Sequence, residues 1–144
     1  MVLVDSNVLL DIFTDDAIWK PWSMAALRDA RAAGLAGINP LIYAETSLAF
    51  GSAAALDREL DHLLLERLPL PFAAGFAAGR AFLQYRRAKG ERSSPMPDFY
   101  IGAHAELDKL TLLTRDARRY RAYFPAVELI SPPAGIAAPP GLRG

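Results

Sequence analysis

An α/β fold with a parallel sheet, covered by helices on both faces, is the class this sequence predicts. Three observations carry the prediction. Short apolar runs with β-branched residues stand at 2–5, 35–39, 110–114 and 127–130, each suited to a strand buried on both sides. Stretches of helical character separate them, the order expected of crossovers between parallel strands. The 144 residues are 52% hydrophobic and 22% charged, which gives one domain of ordinary size an adequate core. The expectation is an α/β/α sandwich of about four to five short strands over residues 1–131.

The elements follow in order. Strand 2–5 leads through Ser6 and Asn7 into a helical turn with Val8, Leu9 and Leu10. Asp15 and Asp16 are expected to open the next helix, acids at its positive end, with Ile18, Trp22, Ala25 and Ala26 as its apolar face and Gly34 as its stop. After strand 35–39, Pro40 is suited to the first position of a helix that carries Glu45 and runs to about Phe50. Residues 53–66 form another helix, and Leu68-Pro69-Leu70-Pro71 is extended, with room for a brief strand. A long helix covers 72–89, and 90–95 is a polar, basic loop. Pro97 starts a helix that carries Asp98 through to Leu107. Strand 110–114 precedes a short basic helix begun by Asp116, and 127–130 is the last strand. Residues 132–144 are rich in Pro and Gly and read as a flexible tail.

Composition excludes several chemistries. With no cysteine there is no disulfide scaffold, zinc–thiolate site or thiol nucleophile. His62 and His104 are the only histidines and have no partner at metal-ligand spacing. His62 reads as solvated, and His104, amid Ile101, Ala103 and Ala105, as structural rather than a general base. No export signal or membrane-length apolar run is visible, so the expectation is a soluble protein of a reducing cytoplasm.

The sixteen basic and sixteen acidic side chains cancel overall but not locally. Residues 1–79 carry ten acids against five bases, and residues 80–121 the reverse. Solvated helix faces account for much of the basic half. Arg86, Arg87, Lys89 and Arg92, beside the loop leading to Asp98, and Arg115, next to Asp116, are nonetheless candidates for holding a phosphate backbone.

Four carboxylates need an explanation. Asp5 and Asp116 lie at or just past the carboxyl ends of strands, the edge where parallel α/β sheets open their ligand crevices. Asp98 and Asp116 also suit the first turn of a helix, where its dipole stabilises an acid by about 0.3–1 kcal/mol. Glu45 lies in an otherwise apolar helix and Asp5 closes an apolar strand, so both want a partner. If the four converge, two charges about 5 Å apart repel by roughly 3 kcal/mol at an effective dielectric of 20. Shared protons or a bound cation must relieve that. Oxygen ligands without Cys or His select a hard ion, Mg²⁺ or Mn²⁺, which suits hydrolysis of a phosphodiester.

The residues around these acids resemble a known family. Asp5-Ser6-Asn7-Val8-Leu9-Leu10-Asp11 resembles the opening block of the PIN-domain nucleases, and residues 40–45, 97–105 and 112–116 resemble its second, third and fourth blocks. The four occur in order across about residues 1–131, and the likeness is greatest to VapC-type toxins, the ribonuclease members of toxin–antitoxin pairs. The resemblance implies that Asp5, Glu45, Asp98 and Asp116 form a metal-binding catalytic quartet, with Ser6, Asn7 and Thr114 as supporting polar groups. It also implies an RNA substrate, a cognate antitoxin protein and a homodimer. Asp11 is a family-like position left outside the core site.

Of the apolar residues, Phe72, Phe76, Arg80, Leu83 and Arg87 recur at helical spacing and suggest a helix with one face in the core and the other in water, or, as the resemblance implies, an apolar surface for a dimer partner or an antitoxin tail. Trp19 and Trp22 are secondary candidates for an interface. Competing readings are a PIN nuclease of RNA processing without an antitoxin, and a non-catalytic nucleic-acid-binding module. A phosphatase with Asp5 as nucleophile, like the haloacid dehalogenases, is disfavoured because Asn7 stands where that family has a second Asp.

Overall fold

A computed structural model describes residues 1–89 and 96–133. The basic loop expected at 90–95, with Arg92, lies outside the described residues, as do the Lys89 side chain and the expected tail from 134 onward.

The chain forms β1 (Val2–Val4), α1 (Ser6–Phe13), α2 (Lys20–Ala33), β2 (Ala36–Ile38), α3 (Pro40–Ser47) and α4 (Ala53–His62). It continues with β3 (Glu66–Arg67), α5 (Ala74–Lys89), α6 (Met96–Leu107), β4 (Thr111–Leu113), α7 (Arg118–Tyr123) and β5 (Leu129–Ile130). All strands are parallel, in the order β3-β2-β1-β4-β5. Leu3 and Val4 point to opposite faces of the central strand and both are fully buried, so helices cover the sheet on both sides. This is the expected α/β/α sandwich. Among the described residues no helix is long and apolar enough to cross a membrane.

Strand order places the site. From β1 the chain crosses to β2 on one side, and β4 later joins β1 on the other, paired Val4 to Leu113. A crevice opens at such a switch point beyond the carboxyl ends of β1 and β4. Asp5 follows β1 directly and its N–H donates to the Leu113 carbonyl at 2.9 Å, tying the two strand ends together.

Element ends differ from the sequence reading for local reasons. Asp15 and Asp16 do not open α2. Asp16 Oδ1 instead accepts from the Ile18 and Trp19 N–H groups, closing a turn, while Asp15 adopts φ 53°. The helix starts at Lys20 with Pro21 in its first turn. Ile18 is consequently exposed, and α2 buries Ser23, Leu27 and Ala30. Helix α3 ends at Ser47, short of Phe50, with the Ser47 hydroxyl turned back onto the Ala44 carbonyl. Helix α4 stops at His62 rather than residue 66, because Leu64 takes the left-handed φ of 57° and the chain turns to pair with β2. The edge strand is therefore 66–67 and not the proline-containing 68–71, whose prolines lack ladder donors. Helix α7 starts two residues after Asp116, which stays in the preceding turn.

Helix α5 corrects the expected packing of Phe72 and Phe76. Its buried stripe is Ala74, Ala78, Ala81 and Tyr85. Phe72, before the helix, and Phe76 are both exposed, with the Arg80 guanidinium over the Phe76 ring at 5.0 Å. Small side chains let α5 lie close to α6, where Tyr85 and Phe82 meet Phe99. On α6, Gly102 faces Phe124: a β-carbon there would fall within 3.0 Å of three carbons of that ring. Trp19 is buried beneath the Arg115 guanidinium, 5.3 Å from its ring centre, so it presents no interface surface.

Candidate active site

The site grows from the polar residues at the carboxyl edge of β1 and β4. Asp5 is 3% exposed and is the N-cap of α1. Its Oδ1 accepts from the Ser6 N–H at 2.8 Å, and its Oδ2 accepts from the Thr114 hydroxyl at 2.9 Å and the Tyr120 hydroxyl at 3.0 Å. Three short bonds fix the carboxylate in one orientation. Thr114 in turn accepts from the Asn7 amide at 3.2 Å, and the Asn7 carbonyl accepts from the Arg115 N–H at 3.1 Å. Asn7 thus staples α1 to the turn after β4. Ser6 reaches the other way, donating from its hydroxyl to Glu45 Oε1 at 3.0 Å.

Glu45 arrives on α3, whose start is set by Asn39: its Oδ1 accepts from the Ile42 N–H at 3.0 Å, with Pro40 behind it. Asp98 arrives in the first turn of α6 and is held by Arg119 of α7, Nη1 to Oδ2, at 2.5 Å. Asp116 stands at the exposed rim, with Arg118 at 3.8 Å.

Electrostatics link the four. Burial, with Asp98 and Glu45 nearby, pushes the Asp5 carboxyl up to about 7 from its ordinary 3.8. Burial also raises Glu45, with Asp98 adding to the effect, although the Ser6 bond opposes it. Asp98 is raised as well, mainly by burial and further by Asp116, against the lowering pull of Arg119. Burial and the same carboxylates hold the Tyr120 phenol far above its usual range, so it remains a donor to Asp5 at any physiological pH. Ser6 ties Glu45 to Asp5, Tyr120 and the neighbouring Arg119 tie Asp5 and Asp98 to α7, and Thr114 bridges Asp5 to the Asp116 backbone, so the four lie around one edge of one sheet.

Such a set suits a hard divalent cation by donor type and by charge. As placed, no three carboxylate or imidazole groups among the described residues form a ready ligand set. Magnesium needs fewer, since it is held by one or two carboxylates and keeps several waters.

Other residues fall around this centre. Arg86 and Arg87 are exposed on α5, the first over the Phe82 ring at 6.0 Å. The Arg115 guanidinium is turned away from the acids toward buried Asp11, with Nε to Oδ2 at 2.9 Å and Nη2 to Oδ1 at 3.2 Å. The Ser23 hydroxyl completes Asp11 at 2.8 Å. His104 is buried between Asn39 and Asp108, and burial lowers its pKa; it lies in the packing of α6. The sequence reading missed Tyr120 and the pairing of Arg119. Their one signal was an aromatic residue inside a basic run.

The model of the PIN domain matches residues 2–125. The chain belongs to the PIN-domain family. Members of that family are nucleases. Solved structures give the same fold. VapBC2 from Rickettsia felis, bound to a DNA fragment from their promoter, aligns with a TM-score of 0.63 and 18% identity, covering 92% of this chain and 100% of that one. VapBC-1 from nontypeable Haemophilus influenzae aligns at 0.65 and 12%, covering 91% and 98%. A toxin–antitoxin complex from Klebsiella pneumoniae aligns at 0.55 and 20%, covering 88% and 95%. A comparison with curated proteins gives no match.

Proposed function

We propose that this PIN protein is a Mg²⁺- or Mn²⁺-dependent endoribonuclease and the toxin member of a toxin–antitoxin pair. The hydrogen-bonded grouping of Asp5, Glu45 and Asp98 at the carboxyl edge of β1 and β4, with Asp116 at its rim, is the observation that supports the reading. A cluster so crowded with negative charge is costly unless protons are shared or a cation is bound. PIN nucleases in general use divalent ions, and oxygen-only donors favour the hard ones. The toxin assignment is supported by the fold likeness to VapBC and toxin–antitoxin structures, which also points to a cognate antitoxin. A homodimer and a cytoplasmic setting belong to the same reading.

In this mechanism one or two carboxylates of the set Asp5, Glu45, Asp98 and Asp116 would hold the cation, and the others would bind its waters. When bound, that cation supplies positive charge against the phosphodiester oxygens and acidifies water. Thr114, Tyr120 and the Ser6 N–H keep the Asp5 oxygens aimed. Ser6 does the same for Glu45. A carboxylate of the set that does not ligate the cation would be placed to accept a proton from the attacking water. Arg86, Arg87, Lys89, Arg92 and Arg115 are proposed to hold the RNA backbone; for Arg115 this requires release from Asp11.

Incubating the protein with cellular RNA in Mg²⁺ or Mn²⁺ and sequencing the new 5′ ends tests the reading. Discrete cleavage that EDTA stops is expected. Cleavage unaffected by EDTA, or none with either ion, overturns it. Growth arrest on expression, relieved by a co-expressed DNA-binding partner encoded immediately upstream, separates a toxin from a PIN nuclease of RNA processing.

A further inference from the structure

Charge within the carboxylate cluster is unevenly matched. Among the described residues two ion pairs reach the quartet: Arg118 with Asp116 at the open rim, at 3.8 Å, and Arg119 with Asp98, at 2.5 Å. Asp5 and Glu45 are satisfied by hydroxyls and a backbone N–H, which orient but do not neutralise them. Arg119 therefore carries the positive charge nearest the inner part of the site. Its position is built. Helix α7 places Arg119 directly before Tyr120, which holds Asp5, and the guanidinium carbon sits 5.6 Å from the centre of the Tyr85 ring on α5. A cation over an aromatic face with a carboxylate at its edge is a stable seat for a guanidinium. The side chain is also about one-third exposed, so it has a way out to solvent.

We propose that Arg119 is a resident counter-cation of this site: it occupies Asp98 while no divalent ion is bound and must release Asp98 for the ion to bind fully. The proposal rests on the divalent-cation reading above. Its physical content is competition for one oxygen. Asp98 Oδ2 cannot direct its lone pairs fully to both a guanidinium and an ion, and two cations at one carboxylate repel each other. Arg119 thereby keeps the ion-free protein intact at the expense of ion affinity. Entry of the ion becomes a displacement rather than a filling of open space.

The test is Mn²⁺ binding to the full chain, followed by calorimetry and by the electron paramagnetic resonance signal of free Mn²⁺, with thermal melting in EDTA alongside. Wild type, Arg119→Gln, Arg119→Lys and Asp98→Asn are compared. Arg119→Gln is expected to bind Mn²⁺ roughly tenfold more tightly, the scale of one charge-assisted hydrogen bond that no longer competes. Its EDTA melting temperature is expected to fall. Arg119→Lys, which keeps the charge, is expected to return the affinity toward wild type, and Asp98→Asn to weaken binding. Equal or weaker Mn²⁺ binding by Arg119→Gln, with wild type still binding, overturns the competition and leaves the divalent-cation reading standing. No Mn²⁺ binding by any variant overturns both.

Discussion

Replacing Asp5 by Asn should make the metal-free protein gain stability relative to wild type as pH rises. The Asp5 carboxyl titrates near 7 in the folded chain against an ordinary 3.8. Between those values the folded state binds a proton that the unfolded state has lost, so wild-type stability falls as pH rises through that window. Once both states are ionised the penalty is roughly 4 kcal/mol, taking about 1.4 kcal/mol for each pH unit between the two values. Less than half of it is present at pH 5 and nearly all at pH 8. Asn at this position carries no charge and has no such window. Its exchange of hydrogen-bond partners with Ser6, Thr114 and Tyr120 adds an offset that is the same at both pH values. Urea unfolding in EDTA at pH 5 and pH 8 measures the change in the gap between variant and wild type, expected to be a few kcal/mol in favour of the variant at the higher pH. A gap independent of pH would refute the account of Asp5 as a buried acid among like charges.

Other substitutions probe separate links. Asp98→Asn and Asp116→Asn should each cut RNA cleavage in Mg²⁺ or Mn²⁺ by about 100-fold or more with the circular dichroism spectrum retained; cleavage at the wild-type rate by either removes that residue from the site. Gly102→Ala should cost about 1–3 kcal/mol, because its β-carbon meets the buried Phe124 ring, and an unchanged denaturation midpoint would contradict that packing. Asp11→Ala leaves Arg115 and Ser23 without their shared partner and should cost about 3 kcal/mol in chemical denaturation. Charge reversal of both Arg86 and Arg87 should weaken RNA binding and flatten its salt dependence while Mn²⁺ affinity stays the same; unchanged affinity for RNA in a low-salt titration retires these two as backbone contacts.

The strand runs, the helices between them and the four acids were legible in the sequence because each has a local cause. Val2 to Val4 is apolar on both faces, Pro40 and Pro97 mark helix starts, and Asp5 and Glu45 are charges in apolar surroundings without a local partner. What escaped depends on distant or unusual backbone geometry. The positive φ of Leu64 ends α4 and creates β3 where residue type alone suggests continued helix. Asp15 and Asp16 look like helix-opening acids, yet Asp16 closes a turn instead. Phe72 and Phe76 follow a helical spacing, but the small-residue stripe of α5 takes the core side. Tyr120 and Arg119 reach the site only because α7 folds back over β1 and α6, contacts spanning 115 and 21 residues of chain.

The central strand lies far ahead of its partners in the chain: its pairing with Leu113 and the capture of Asp5 by Tyr120 require residues that come much later. A growing chain on the ribosome therefore carries Asp5 and Glu45 long before their companions exist. A chain that stops ahead of Tyr120 lacks one of the three donors that fix the Asp5 carboxylate.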